Sequence, residues 1–241
     1  MIRFFRSIRQ SLLAQGRITR YLTYAIGEIV LVVIGILIAL QLNGLKEQRG
    51  RDAQERRILT EMLANLRSDS LDMAGNRDRS TRVMNTSQAV LRQLEERIPW
   101  NDSMAHHYGS LGYWSVSLPV LSSYENLKSI GFDLITNDSL RSMMHRLYAQ
   151  QYPFVIRMEQ GYGESVRNLM LHPELTRKMV TRSRREAEPL DLQALMDDHV
   201  FKETIRSNIL AQQAFASIYA KTLKLDVDLM RIIELELDME Q

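Results

Sequence analysis

Few residues in this sequence stand where their type suggests chemistry, and Glu28 has the most unusual setting. It is the single charge in Ala25–Leu42, AIGEIVLVVIGILIALQL, an 18-residue run with one further amide, Gln41. A carboxylate there either faces a water-filled path and its ions or reaches back to Arg20 and the headgroup zone. At 100° per residue, Glu28 shares a side of the helix with Tyr24, Gly35, Ala39, Asn43 and Lys46. Gly35 and Ala39 form a small-x-x-x-small pair, which lets helix backbones approach closely. Glu28, Gly35, Ala39 and Asn43 are therefore the candidates for helix–helix contact or pore lining. Leu31, Val33, Ile36 and Leu40 leave much of the remaining circumference apolar.

The other titratable groups form no catalytic constellation. His106 and His107 are adjacent, so their side chains diverge, and no third ligand lies at useful spacing. Asp197, Asp198 and His199 open the last helical pattern, where carboxylates complement the helix dipole. The GYGES around Gly161 falls inside a helical pattern and reads as a local bend. The sequence lacks a Gly-rich phosphate loop, a Gly-x-Ser-x-Gly elbow, a His-Glu-x-x-His pair and a dinucleotide fingerprint. It contains no cysteine, hence no disulfide, thiolate site or cysteine nucleophile. The expectation is a chain without enzyme activity, metal or cofactor. Trp100, Tyr113 and Trp114, in the irregular stretch Pro99–Pro119, are candidates for docking a partner or for packing that loop on a helical bundle.

The elements that would position these residues read as all-α. With 11 Gly and 5 Pro in 241 residues, long stretches run without a helix breaker. Residues 1–20 carry five Arg and no acid, with Ile2, Phe4, Phe5, Ile8 and Leu12 on one arc, as in a basic amphipathic helix on a membrane surface. Residues 21–45 form the membrane span: its 18 most apolar residues extend roughly 27 Å, close to the hydrocarbon thickness, and Tyr21 and Tyr24 stand at its edge. Lys and Arg are balanced on its two flanks, and the acid-free N-terminal arginines favour the N-terminus inside.

Residues 46–241 form the helical soluble domain. A stalk helix over 46–98 carries Ile58, Leu59, Met62, Leu63 and Leu66 at helical spacing, with a bend or break possible in the polar Asp69–Ser80 around Gly75. The aromatic loop follows at 99–119, then helices over 122–171, with Ser122 or Ser123 and Asn137 or Asp138 as caps and Pro153 as a kink or stop. A basic linker fills 172–189, and a long C-terminal helix runs over 190–239. Outside residues 1–20 the chain holds 26 basic and 29 acidic residues, without the basic face that nucleic acid requires.

Three segments in order, IRFFRSIRQSLL, YAIGEIVLVVIGILIALQLN and SSYENLKSIGFDLITNDSLRSMMHRLY, resemble a widespread bacterial family of single-span membrane proteins classed as a domain of unknown function. The resemblance covers nearly the full length, and the membrane-helix motif is its most specific part. The chain departs from the family pattern after Asn43, where Gly44-Leu45 stands in place of Asn-Trp. It implies one span and a helical domain, and brings no catalytic residues. The expected protein is a homo-oligomeric, single-pass protein of the bacterial inner membrane, N-terminus cytoplasmic and C-terminal domain periplasmic. It would act as a non-enzymatic scaffold, binding or sensing module; the alternative is an oligomeric ion channel whose pore is a ring of the single helices. Its expected partners are the lipid bilayer, copies of itself and another membrane or periplasmic protein, and not nucleic acid.

Overall fold

The structure, a computed structural model, describes residues 18–239. The basic segment expected over residues 1–20 lies outside them except for the backbone of 18–20, as do the side chains of Tyr21 and Tyr24. The described chain is all-α but for one two-stranded hairpin. It divides into two units, Met1–Gln54 and Glu55–Gln241. Helix α1, Ile18–Glu95, contributes to both. In the first unit it is long and apolar enough to cross a membrane, with mean hydropathy 2.6 over its most apolar window and none of that window buried.

In the second unit α1 carries the expected Leu/Met stripe inward: Ile58, Leu59, Met62, Leu63 and Leu66 are all buried. No break occurs at Gly75. Asp69, Met73, Asn76 and Ser80 fall at successive turns and are themselves buried, so the stretch looked like a bend because its inward face is polar. The remaining elements are α2 (Met104–Ser110), α3 (Ser122–Ile130), a helical run made of α4 (Asp138–Met144), α5 (Tyr152–Met158) and α6 (His172–Lys178) joined through π-helical turns, a hairpin of β1 (Met179–Ser183) and β2 (Glu186–Pro189), then α7 (Leu192–Asp197) and α8 (His199–Met239).

Several expected boundaries are corrected. Part of the loop over 99–119 is α2, and the linker over 172–189 is α6 plus the hairpin, with Ala187 buried. The C-terminal helix starts at His199, behind the short α7. Asn137 does cap α4, accepting from the Leu140 N–H, whereas α3 has Leu121 at its cap position and no side-chain cap. Gly131 ends α3 with φ 118°, a conformation that suits only glycine well. Pro153 neither ends nor breaks the helical run. The π turn His145–Gln151 places it in the first turn of α5, where its missing N–H costs little.

Two apolar cores hold the second unit. One joins Ile58–Met73 of α1 to Tyr148, Tyr152 and Val155 and to Phe215, Tyr219, Leu229 and Ile233 of α8. The other gathers Val90 and Leu94 with Tyr108, Leu111, Leu171, Ala187, Phe201 and Ile205. Carboxylates enter the first core. The Tyr152 hydroxyl lies 2.9 Å from Asp226 Oδ1 and 3.2 Å from Asp69 Oδ2. One hydroxyl proton cannot serve both, so both contacts are hydrogen bonds only if one carboxyl is protonated and donates to the tyrosine oxygen. Asp69 also accepts from the Val120 N–H at 3.0 Å, whereas Asp226 Oδ2 is buried with no partner. Burial pushes the Asp226 pKa up to about 7, against the pull of the Tyr152 bond and with the Asp69 charge adding to the rise. Asp226 therefore carries the proton.

Unfolded, Asp226 loses its proton near the ordinary aspartate value of 3.8; folded, it does so near 7. Across that window the folded chain holds a proton the unfolded chain has lost, so stability falls as pH rises, and the slope ends above it. Asp226→Asn, whose amide stands in for the protonated carboxyl, removes this slope. Urea unfolding of the detergent-solubilised protein, followed by the emission of Trp100 and Trp114, should show the wild type losing stability relative to the variant between pH 5 and 7, by at most about 1.4 kcal/mol per pH unit. A constant difference over that range would contradict the assignment.

Candidate functional site

The four residues singled out in the apolar helix all lie on its exposed surface. A Cβ added at Gly35 would meet nothing within 4 Å, so none of the described residues packs against the small-residue face at that position. Asn43 is satisfied within the helix, its Nδ2 donating to Glu47 Oε1 at 2.9 Å. Glu28 makes no hydrogen bond or ion pair among the described residues, and the side chain of Arg20, its expected neighbour, lies outside them.

The aromatic residues pack within the second unit. Trp100 sits 5.9 Å from Tyr108 and donates through Nε1 to Asp102 at 3.1 Å. Trp114 meets Phe215 edge-on at 5.6 Å. Gly163 permits that seat, since a Cβ there would lie 3.1 Å from both Trp114 Nε1 and Phe215 Cζ. Beyond Trp114 the chain is irregular, and a buried carboxylate holds it: the Ser117 N–H and hydroxyl both donate to Glu159, at 3.1 and 2.7 Å, and the Tyr219 hydroxyl adds a third bond at 2.7 Å. Val120 is tied to Asp69 in the same way. The segment is thus fixed from inside.

Tyr113 and Trp114, just before the held segment, line a cleft of about 960 Å³, at the large end of small-molecule sites. Arg79, Arg82, Val83 and Thr86 face it from α1, at the i, i+3, i+4, i+7 spacing of one helix side. His106, His107 and Ser110 come from α2, Tyr113 and Trp114 from the segment after it, and Arg184 and Arg185 from the hairpin turn. Burial, with the neighbouring His106 adding to it, lowers the His107 pKa, so its ring is neutral at pH 7. The fixed charge of the cleft therefore belongs to the arginines.

Two contacts hold the arginine turn in place. The Tyr113 hydroxyl donates to the Arg184 carbonyl at 2.7 Å. Gly109 lets the turn lie against α2, because a Cβ there would come within 2.4 Å of the Arg185 carbonyl carbon and oxygen. Nothing in the sequence marks the four arginines as a group: the run Arg182–Arg185 reads as part of a basic linker, and nothing local joins it to Arg79 and Arg82, a hundred residues earlier. The histidines gather no third ligand: among the described residues no group of three or more His, Asp or Glu could hold a metal. Asp198 caps α8, accepting from the Phe201 N–H at 2.9 Å, and Asp197 pairs with Arg97 at 2.6 Å.

Gly109→Ala should lift the turn, at a cost on the order of 1–3 kcal/mol. Tyr113→Phe loses a single hydrogen bond, worth about 1 kcal/mol. Limited trypsin digestion reads both, since cleavage after Arg184 and Arg185 requires the turn to detach. The expected order of cleavage rate is wild type, then Tyr113→Phe, then Gly109→Ala, and equal rates would refute the anchoring role of both residues. No family model matches the chain, and no curated protein or solved structure does so either.

Proposed function

We propose that this is a non-enzymatic, homo-oligomeric membrane protein of the bacterial inner membrane. Its single span anchors and assembles it, and its helical domain, on the periplasmic side, binds or senses a ligand or partner protein. The reading keeps the family resemblance of the three quoted segments as its basis for a bacterial source. The observation that carries it is the uncovered apolar helix surface, where Ile29, Leu31, Ile36 and Leu40 are each more than half exposed. Leaving such a side chain in water forgoes about 1.5–3 kcal/mol, so a long run of them calls for lipid around it. The small-residue face with Gly35 and Ala39 supports a contact with copies of the same helix. The walled cleft supports a binding role for the helical domain.

The absence of cysteine makes the test direct. Ala39→Cys places a thiol on the small-residue face, and Leu37→Cys places one on the opposite side, about 180° away. In native membranes, mild oxidation should give a disulfide-linked dimer with Ala39→Cys and not with Leu37→Cys, and Gly35→Leu added to the former should abolish it. Equal crosslinking at both positions would overturn the assembly. Glu28, on the same face, favours ion conduction as a second reading. That reading requires planar-bilayer currents altered by Glu28→Gln.

A further inference from the structure

We propose that the cleft binds a phosphate-bearing anion, with Arg79, Arg82, Arg184 and Arg185 taking the charge and Tyr113 and Trp114 receiving the rest of the ligand. This rests on the binding-module reading above and names its ligand class. Three observations converge on it. First, among the described residues no carboxylate lines the cleft, although acids are nearly as abundant as bases in the chain. Second, these four arginines form no ion pair among the described residues, whereas Arg57, Arg67, Arg77, Arg92, Arg97 and Arg206 each pair with an acid. Third, Thr86 and Ser110, only 9% and 6% exposed, line the cleft without a hydrogen bond from either hydroxyl.

Guanidinium groups that converge from two separate elements without a carboxylate between them gain from an anion that bridges them. A phosphate, with several acceptor oxygens, suits both the paired forks and the hydroxyl donors. The close approach at Gly109 seats the Arg184–Arg185 turn against α2, beside the cleft that Arg79 and Arg82 also line. The aromatic wall adds an apolar or ring-stacking surface, which a bare inorganic ion does not need. The phosphate belongs either to a soluble phosphoester or pyrophosphate or to a lipid headgroup, and the two are separable.

The test uses the full chain with Trp100→Phe, so that Trp114 is the sole emitter, reconstituted in phosphatidylcholine nanodiscs. Sodium pyrophosphate should change its emission saturably, and Arg79→Gln with Arg82→Gln should weaken the apparent affinity at least tenfold. Arg146→Gln, an exposed arginine away from the cleft, should leave it unchanged. Nanodiscs containing phosphatidylglycerol form the second arm. A shift seen there without pyrophosphate, and lost in the double variant, assigns the phosphate to lipid; a shift with pyrophosphate alone assigns it to a soluble ligand. No shift in either arm, or equal weakening by Arg146→Gln, overturns the proposal. Crosslinking at Ala39 does not involve the cleft, so failure here is distinguishable from failure of the anchored assembly. The circular dichroism of each variant, unchanged from the parent, confirms that a loss reflects the site and not the fold.

Discussion

A backbone N–H taken out of water must find an acceptor, and in this chain the irregular segments find theirs on carboxylates of the long helical elements. Ser117 donates to Glu159, Val120 to Asp69 and Thr136 to Glu55. All three acids are buried, at 5%, 2% and 3% exposure. No strand lies beside these stretches to supply a ladder, so the helices supply point acceptors instead. Charged acceptors form stronger bonds than neutral ones, which is what a segment without regular structure needs. The proton shared around Tyr152 follows from bringing one of these acids, Asp69, into the core beside a second carboxyl, Asp226. Carboxylates close together in a dry interior cannot all stay ionised.

The same constraint explains the setting of the cleft. Tyr113 and Trp114 line the cleft, and within a few residues the chain is held at Ser117 and Val120 by Glu159 and Asp69. On its far side the hairpin turn rests against Gly109 and is tied by the Tyr113 hydroxyl. A hairpin of two short strands is marginal alone. Here Ala187 is buried in the second apolar core, and Lys178 forms ion pairs with Glu174 and Asp198 at the base of β1. Attachment at both ends fixes the backbone that carries the exposed Arg184 and Arg185.

What was legible in the sequence was whatever had a short period or a local partner. The stripe Ile58–Leu66 announced the inner side of α1, Asn137 announced a cap, and the uninterrupted apolar run announced a helix able to cross a bilayer. Asp69 and Asn76 were misleading because polarity normally marks the outside, and only their distant partners, Val120 and Tyr152 for the one and Val116 for the other, make them inward residues. The hairpin was invisible because its exposed strands carry little alternation: of β1 and β2 only Ala187 is buried. The aromatic candidates were found by type, but what fixes Trp114, its edge contact with Phe215 a hundred residues on, is tertiary. The arginines of the cleft come from two remote segments, and no pattern within either one predicts the other.

The π-helical turns between Asp138 and Lys178 bear on how this chain can change over evolutionary time. A π turn accommodates an extra residue within an α-helix, bulging outward while the flanking faces keep their phase. A lineage losing one residue from His145–Gln151 would relax that turn to ordinary α-helix and still present Met144 and Val155 to the same core. The same loss in the middle of α8 would rotate everything after it by about 100° and swing Leu229 and Ile233 away from the core. A one-residue deletion is therefore expected to disturb the core less in the central run than in the middle of α8.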